Sequence, residues 1–232
     1  MKTFLVFFLS ISTFLCFGQQ RVPVNFANTG GVYRNADIFN PNGGLSIRTA
    51  IGENNINRST IQGSRYLFST WDGNYIIQSI QGIRYNLNSL NYNLESKKLE
   101  SLLSKDSIFE LRSSQVDFIL ANNKKYKVVN EELFQELNSG KYKIYKQFNV
   151  KVKDAFVNPM TKQESSPAQY TQTEKLFYFK DGILMPLKLN KKEVVGILSD
   201  KEAEVVKFAK EKDFSFSKEV DVIKIVNYYN TL

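Results

Sequence analysis

Apolar and polar residues alternate in short runs between residues 66 and 189, a pattern that predicts β-strands. Turn residues separate these runs at several points. Gln81-Gly82, Asn122-Asn123 and Asp181-Gly182 each lie between two apolar runs and favour tight hairpins, because glycine, asparagine and aspartate tolerate the backbone angles of such turns. Strands joined by hairpins pair as antiparallel neighbours, so the region predicts an antiparallel β-meander.

Individual strands carry more detailed predictions. Val116, Phe118 and Leu120 occupy alternate positions, a pattern that predicts one strand of the meander. A longer strand in the second half of the region is expected to contain an irregularity near Lys146. Residues 154–173 are predicted to form a long loop.

Residues 190–232 change to a helical rhythm. Ser199 followed three residues later by Glu202 is a capping box, which predicts that a helix begins there. A second helix is expected after Ser217, although its β-branched residues leave a strand as the alternative, and a third, shorter one over residues 190–198. The side chains expected on the buried faces of the first two helices are Val205, Phe208, Ala209, Val222, Ile225, Val226 and Tyr229.

The sequence therefore predicts an α+β fold that is mainly β. Residues 63–189 would form an antiparallel β-meander curled into a roll or partial barrel, followed by a small C-terminal helical segment, residues 190–232, packed on the sheet. A sheet with one exposed face cannot bury so many aromatic residues, so either the sheet curls or the helices cover it. Residues 19–62 are rich in asparagine and glycine, and we expect irregular or mobile structure there, with an extended arm that docks on a partner as the alternative.

Residues 1–18 have the features of an export signal. A lysine supplies a positive start, residues 4–17 are almost continuously apolar, and cleavage is expected between Gly18 and Gln19. The apolar run is too short for a permanent membrane span, so no transmembrane segment is predicted. The alternative is a lipoprotein signal acylated at Cys16, although the residue before it is large for that processing. The sequence predicts an exported protein located in the periplasm, at the outer membrane or outside the cell.

Histidine is absent and the chain has a single cysteine, Cys16. After signal cleavage the protein would hold neither a thiol nor an imidazole. This excludes disulfides, structural zinc sites, haem ligation by those side chains and nucleophiles activated by histidine. Carboxylate, tyrosine and lysine chemistry remain, together with oxygen-ligand metal sites such as those for Ca²⁺. No spacing of residues marks a catalytic, cofactor-binding or metal site, so none is predicted.

The chain is basic, with 31 Lys and Arg against 23 Asp and Glu and a formal net charge of +8. The excess is lysine scattered through the second half, which is typical of solvated strand faces and protected sheet edges. For an exported protein the alternative is attraction to anionic cell-envelope glycans or lipid head groups. The scattered lysines form no binding stripe, and no nucleic-acid partner is expected.

Tyr66, Trp71 and Tyr75 bring the single tryptophan together with two other aromatic residues around a predicted turn. On an exported β protein such rings are candidates for ligand contact, as a platform on which sugar rings stack. The alternative is that the same residues pack a core, which is the commoner role of aromatic residues at strand spacing.

Three short motifs carry a resemblance to a known group of proteins. They are Gly63-Ser64-Arg65-Tyr66-Leu67, Tyr92-Asn93 followed by Glu100, and Tyr228-Tyr229-Asn230. With these motifs, residues 63–232 resemble a group of uncharacterised exported proteins of Bacteroidota. The resemblance implies the compartment and the β-rich architecture. Because that group has no established activity, it implies no site residue.

Three functional hypotheses from different classes follow. A non-enzymatic binding or structural module of the cell envelope, with an envelope protein or an anionic glycan as its partner, is favoured because it needs no catalytic side chain. A carboxylate-dependent glycan hydrolase, which needs only two acidic residues in one cleft, is the first alternative. An inhibitor or immunity-type protein is the second.

Overall fold

The protein is represented by a computed structural model, which describes residues 47–52, 61–104, 107–162, 164–180 and 182–232. The strands are β1 (Ile47–Gly52), β2 (Asp72–Ser79), β3 (Arg84–Ser89), β4 (Asn91–Asn93), β5 (Lys98–Ser104), β6 (Ser107–Leu111), β7 (Val116–Ala121), β8 (Lys124–Val129), β9 (Glu132–Glu136), β10 (Lys143–Lys153), β11 (Phe156–Val157), β12 (Glu164–Ser166), β13 (Gln169–Lys180) and β14 (Ile183–Leu187). The α-helices are α1 (Lys191–Ile197), α2 (Glu202–Glu211) and α3 (Glu219–Tyr229). Strands form 47% and helices 21% of the structure, which confirms the mainly β class.

The strands form a large and a small antiparallel sheet. The large sheet has the order β14-β13-β10-β9-β8-β7-β2-β3, the small sheet has the order β1-β6-β5-β4, and β11 pairs with β12. The prediction of one meander is wrong in one respect, because β4, β5 and β6 leave the large sheet and β7 returns beside β2. By leaving, these strands bring apolar side chains into a core shared with the large sheet instead of extending its plane.

Strand β7 shows how one extra residue changes the face on which side chains lie. Its pairing with β2 shifts at Asp117, which forms a β-bulge and reverses the alternation of side chains. The predicted strand is present, but Phe118 and Leu120 are only half-buried and lie on the face opposite Val116. The β7 side chains in the core are Val116, Ile119 and Ala121.

Strands β10 and β13 form a long two-stranded ribbon. Their pairing runs without a break from Lys143 and Phe179 to Lys153 and Gln169, so the irregularity predicted near Lys146 is wrong. The predicted long loop is also wrong in part, because β11 and β12 form a short hairpin within it and β13 takes up its last residues. Continuous backbone pairing between the two strands satisfies the amide groups that a loop would leave to water.

The predicted hairpins at Gly82 and at Asn122-Asn123 are confirmed. Asn122 and Asn123 both have positive φ, 51° and 60°, as a two-residue turn between β7 and β8 requires. Gly82 has a φ of 82° between β2 and β3, where a side chain would be strained. Gly182, with a φ of 84°, joins β13 to β14, while its predicted turn partner Asp181 lies outside the described residues.

Two apolar core clusters hold the fold together. The larger lies between the small sheet and one face of the large sheet, and its centre includes Tyr75, Ile77, Leu99 and Ile119. The smaller lies where the three helices pack on β10 and β14, and it contains the following side chains: Tyr142, Ile144, Leu187, Val194, Leu198, Val205, Ala209, Val222, Ile225, Val226 and Tyr229. Both clusters cover the same face of the large sheet, which we call the inner face.

The C-terminal helices confirm most of the predicted pattern. The buried residues of α3 are the four expected ones, Val222, Ile225, Val226 and Tyr229, so the strand alternative is wrong. On α2, Val205 and Ala209 are buried, whereas Phe208 is half-buried and stacks on Tyr228 with ring centroids 3.9 Å apart.

The predicted capping box is not formed. Ser199 begins a short 3-10 turn, and α2 begins at Glu202 with Lys201 at the capping position and no side-chain cap. The backbone N–H of Lys201 instead bonds the carbonyl of Leu198, so this turn takes the place of the predicted cap. A side-chain cap does form on α1, where Asn190 Oδ1 accepts a hydrogen bond of 2.9 Å from the backbone N–H of Glu193.

Part of the segment predicted to be irregular is a strand. Within residues 19–62, β1 pairs antiparallel with β6, and Ile47 lies opposite Leu111. The predicted cleavage site at Gly18 and Gln19 lies outside the described residues. Over the stretches that the structure does describe, no helix has the length and apolar character to cross a membrane.

Candidate functional site

The three aromatic residues predicted as a ligand platform do not form one surface. Tyr75 is only 1% exposed and packs in the larger core against Phe68, with ring centroids 5.6 Å apart. Tyr66 and Trp71 are half-buried and meet edge to face at 4.8 Å. The platform prediction is therefore wrong for Tyr75, because the alternation of β2 turns that ring into the core.

Tyr66 instead belongs to a buried polar cluster on the small sheet. Its hydroxyl donates a hydrogen bond of 3.0 Å to Glu100 Oε2, and Asn93 Nδ2 donates one of 3.0 Å to Glu100 Oε1. The segment around Tyr66 is held beside β4 by an antiparallel bridge between Tyr66 and Asn93. Two of the three resemblance motifs thus meet at one carboxylate, which is only 3% exposed.

Burial sets the electrostatics of this cluster. Desolvation raises the pKa of Glu100, while the hydrogen bonds from Asn93 and Tyr66 and the nearby Arg65 partly lower it. Burial and the charge of Glu100 also raise the pKa of Tyr66 to about 12. Glu110 lies opposite Glu100 in the register of β5 and β6 and raises the pKa of Glu100 further. The cluster therefore holds a carboxyl group that is easier to protonate than usual.

The sequence did not predict a role for Asn91, although its side chain joins β4 to the segment around Phe68. Its Oδ1 accepts hydrogen bonds of 2.9 Å from the backbone N–H groups of Phe68 and Tyr92, and its Nδ2 donates one of 3.0 Å to the carbonyl of Phe68. The signal available in the sequence was a second asparagine two residues before Asn93, between the apolar residues Leu90 and Tyr92. Such buried amides imply a fixed backbone partner.

The third motif has a comparable role at the smaller core. Asn230 Oδ1 accepts a hydrogen bond of 2.9 Å from the N–H of Tyr142, and Asn230 Nδ2 donates to the carbonyls of Ser139 and Tyr142. Gly140 has a φ of 112° here, and a Cβ atom added to it would lie 2.6 Å from the Asn230 side chain. The motif therefore ties the end of the last helix to the turn before β10.

The face of the large sheet opposite the two cores, which we call the outer face, is the largest functional candidate. Strand register places one row of side chains across seven strands: Arg84, Gln78, Phe118, Lys127, Phe134, Gln147 and Lys175. A second row runs across the whole sheet: Asn86, Ile76, Leu120, Lys125, Glu136, Tyr145, Phe177 and Pro186. Lysines and aromatic rings therefore lie together on this face.

The aromatic rings of the outer face pack against one another. Phe134 meets Phe177 edge to face at 5.6 Å, and Tyr145 meets Phe179 in the same way at 6.3 Å. Phe134 and Tyr145 are buried but belong to neither core cluster. Lys125 Nζ lies 5.0 Å from the centre of the Phe118 ring, where the cation meets the electron-rich face.

The cations of the outer face outnumber its anions. Five basic side chains, Arg84, Lys125, Lys127, Lys143 and Lys175, share the face with the carboxylates of Asp117, Glu132 and Glu136. Lys125 and Lys143 both approach Glu136, at 3.4 and 3.5 Å, and Lys127 pairs with Asp117. Burial and the neighbouring Glu136 raise the pKa of Tyr145, so its hydroxyl stays neutral. The face combines apolar rings with a net positive charge.

Other parts of the described structure offer less chemistry. A shallow depression of about 520 Å³ lies between the β13–β14 hairpin and α1, lined by Tyr178, Met185, Lys192 and Ile197 among others. Among the described residues no group of three acidic side chains could hold a metal ion. A comparison of the chain with models of protein families, with curated proteins and with solved structures gave no match.

Proposed function

We propose that the protein is an exported cell-envelope module that binds an anionic glycan, without catalysis, on the outer face of its large sheet. The observation that carries the proposal is that the half-buried rings of Phe118 and Phe177 share that face with Lys125, Lys127 and Lys175. Aromatic rings offer flat apolar contacts to sugar rings, and lysines attract carboxylate, sulfate or phosphate groups. The formal charge of +8 on the whole chain favours the same kind of partner.

Export to the cell envelope is part of the proposal and is supported by the sequence of residues 1–18. Membership in the group of exported Bacteroidota proteins is supported by the convergence of its motifs, since Arg65, Tyr66, Asn93 and Glu100 meet in one cluster. We further propose that the large sheet curls as an open roll around the larger core. Such curvature would leave the outer face convex, with its exposed and half-buried side chains, among them Lys175, Lys127 and Phe118, facing a polymer.

A carboxylate-dependent hydrolase is the second candidate, favoured by the position of Glu100 directly opposite Glu110. Their Cβ atoms would lie about 5 Å apart in such a pair. However, Glu100 is only 3% exposed and both of its oxygen atoms accept hydrogen bonds. A glycosidic oxygen would have to displace Tyr66 or Asn93 to reach it, so binding without catalysis has more support.

Retention on immobilised polygalacturonate, with neutral dextran as the comparison, tests the proposal. The wild type should bind the anionic polymer in a salt-dependent manner. The double variant Lys127→Gln and Lys175→Gln should bind about tenfold more weakly, because it removes two charges from one row of the outer face. Mass determination of the mature N-terminus tests export separately, since a chain that still begins at Met1 would contradict it.

A matched control carries two lysine changes away from the sheet, Lys192→Gln and Lys207→Gln, both at exposed positions of the helices. This control changes the net charge by the same amount and should retain binding. Equal weakening in both double variants would show that net charge alone attracts the polymer. That result, or an absence of retention in the wild type, would contradict a glycan site on the outer face.

A further inference from the structure

An exposed apolar tip lies at the far end of the β10–β13 ribbon. Four of its side chains are unusually accessible for their type: Val152 is 42% exposed, Phe156 56%, Val157 49% and Met160 93%. They all fall within residues 151–162, which we call the ribbon tip. Single exposed apolar residues are common on protein surfaces, but four within nine residues form a patch that is typical of an interaction site.

The tip lies beyond the part of the ribbon that pairs with β9 and β14. Strand β9 pairs with β10 only at residues 145–147, and β14 pairs with β13 only up to Leu176. Beyond those points the two strands of the ribbon pair with each other. On one side the lower ribbon is anchored by Gln172, whose Nε2 donates hydrogen bonds to the carbonyls of Ser64 and Tyr66. The ribbon is also held near its far end, where the backbone of Gln62 bonds Ala168 and Tyr170. Phe156, Val157 and Met160 lie in the hairpin beyond these bonds and are exposed.

The tip also has internal order. Strands β11 and β12 pair at Phe156 and Ser166, so the ribbon ends in a second small hairpin. Asn158 Oδ1 accepts hydrogen bonds from the backbone N–H groups of Met160 and Thr161, which fixes the turn between them. Phe156 and Met160 are thus presented by a hydrogen-bonded backbone.

Basic residues lie in the same hairpin as the exposed apolar side chains. Lys151, Lys153 and Lys162 are exposed, and they outnumber the acidic residues of the same hairpin, Asp154 and Glu164. Long lysine side chains beside apolar residues suit a boundary between water and hydrocarbon. Their stems can lie along apolar groups while the ammonium groups reach phosphate oxygens.

We propose that the ribbon tip docks the protein on an anionic lipid surface. Phe156 and Met160 enter the boundary between head groups and acyl chains, and the three lysines contact lipid phosphates. A second copy of the chain would bring like charges together, whereas lipid phosphates complement the three exposed lysines. A protein partner would also bury the apolar residues, and the vesicle experiments distinguish it. This docking surface is separate from the outer face of the large sheet and does not depend on glycan binding.

Flotation with phospholipid vesicles tests this inference. Wild type and variants are purified in the same way and share one N-terminus, so residues 1–18, if retained, contribute equally to all of them. The wild type should bind vesicles of phosphatidylcholine with phosphatidylglycerol and bind phosphatidylcholine alone much more weakly. The double variant Phe156→Ser and Met160→Ser should lower the partition coefficient about tenfold or more. Replacing Lys151, Lys153 and Lys162 by Gln should lower it about fivefold per lysine, with the difference lost at high salt.

A fluorescent reporter measures insertion directly, without any contribution from residues 1–18. Met160→Trp should show a blue-shifted emission and quenching by brominated lipid when anionic vesicles are added. The control Ile183→Ser removes an apolar side chain that is 61% exposed on a different hairpin, and it should bind as the wild type does. Unchanged Trp emission, equal loss in the control, or a dimer in light scattering that Phe156→Ser abolishes would each overturn the proposal.

Discussion

The two core clusters are closed in different ways. The small sheet closes the larger cluster with polar side chains that are themselves buried, among them Asn91, Asn93, Glu100 and Ser101. The helices close the smaller cluster with apolar faces, and most polar contacts there lie at the rim. One example is Tyr229, whose hydroxyl donates to the carboxylate of Asp200 at 2.8 Å.

The difference shows two ways of specifying where one layer lies on another. An apolar helix face can slide on a sheet at little cost until side chains interlock. A buried amide such as Asn91 fixes its position more closely, because a displaced donor or acceptor would be buried without a partner. The stability of the small sheet should therefore depend more on its buried polar side chains. The stability of the helical part should depend more on the volume of its buried apolar side chains.

The largest expected effects come from cavities in the two cores. Ile225→Ala in the helical cluster and Ile77→Ala in the larger cluster should each lower the free energy of unfolding by about 2–5 kcal/mol, since both side chains are fully buried. Equilibrium urea denaturation, followed by circular dichroism and by Trp71 fluorescence, measures both. Coincident transitions would show that the halves unfold together, and separate transitions would show that they are independent.

A control on the same helix tests whether burial causes the loss of stability in Ile225→Ala. Val220→Ala removes a side chain of α3 that is 62% exposed and should change the free energy of unfolding by less than about 0.5 kcal/mol. A loss in Val220→Ala as large as that in Ile225→Ala would mean that burial is not the cause.

The polar closure of the small sheet is tested by Asn91→Ala. The change leaves backbone groups of Phe68 and Tyr92 without their partner, at a cost of about 2–3 kcal/mol in the free energy of unfolding. Asn88→Ala at an exposed position of the adjacent strand is the matched control and should be nearly neutral. Similar stability for the two variants in urea denaturation would contradict a structural role for the buried amide.

The helical half offers a smaller test at its two candidate caps. Asn190→Ala removes the hydrogen bond to Glu193 at the start of α1 and should cost about 0.5–2 kcal/mol. Ser199→Ala should cost almost nothing, because Ser199 is exposed and makes no cap. Thermal denaturation of both variants measures these two losses of stability. A larger loss in Ser199→Ala than in Asn190→Ala would support the capping box that the sequence predicted.

Glu100→Gln is expected to change the free energy of unfolding least at neutral pH. The substitution should, however, change how the free energy of unfolding depends on pH. Burial holds the folded-state pKa of Glu100 above its ordinary value of 4.5. A raised pKa means that stability from this group is present below the unfolded pKa and is lost as pH rises through the folded pKa. The glutamine stays neutral and can still accept from Asn93 and donate to Tyr66.

Denaturation from about pH 4 to pH 7 should therefore show less loss of stability on raising pH in Glu100→Gln than in the wild type. Glu211→Gln, at an exposed position of α2, is the control and should keep the wild-type dependence. A wild-type slope in Glu100→Gln would mean that the carboxylate is not penalised by burial.

Much of the fold could be predicted because it rests on local patterns. The positions of Val222, Ile225, Val226 and Tyr229 predicted the buried face of α3, since helical spacing fixes which side chains share a face. The turn at Asn122-Asn123 predicted the β7–β8 hairpin because few residues accept positive φ.

The candidate sites could be predicted only in fragments. Tyr66 and Glu100 were both noted, but their hydrogen bond joins residues 34 positions apart. The sequence did not predict the outer face for two reasons. The bulge at Asp117 reverses the face on which the β7 side chains lie. Each row of the outer face also combines residues from seven or eight strands. No short-range pattern shows which strands will be neighbours.

The sequence by itself determined the mainly β class, the hairpin turns, the face of the last helix and the excess of positive charge. Only the tertiary structure decided that the small sheet leaves the large one, that Glu100 lies under Tyr66, and that Phe156 and Met160 stand exposed at the end of a ribbon. The physical reason is the distance along the chain over which each interaction acts. Backbone angles and side-chain periodicity act over a few residues, whereas strand register and burial depend on partners distant in the chain.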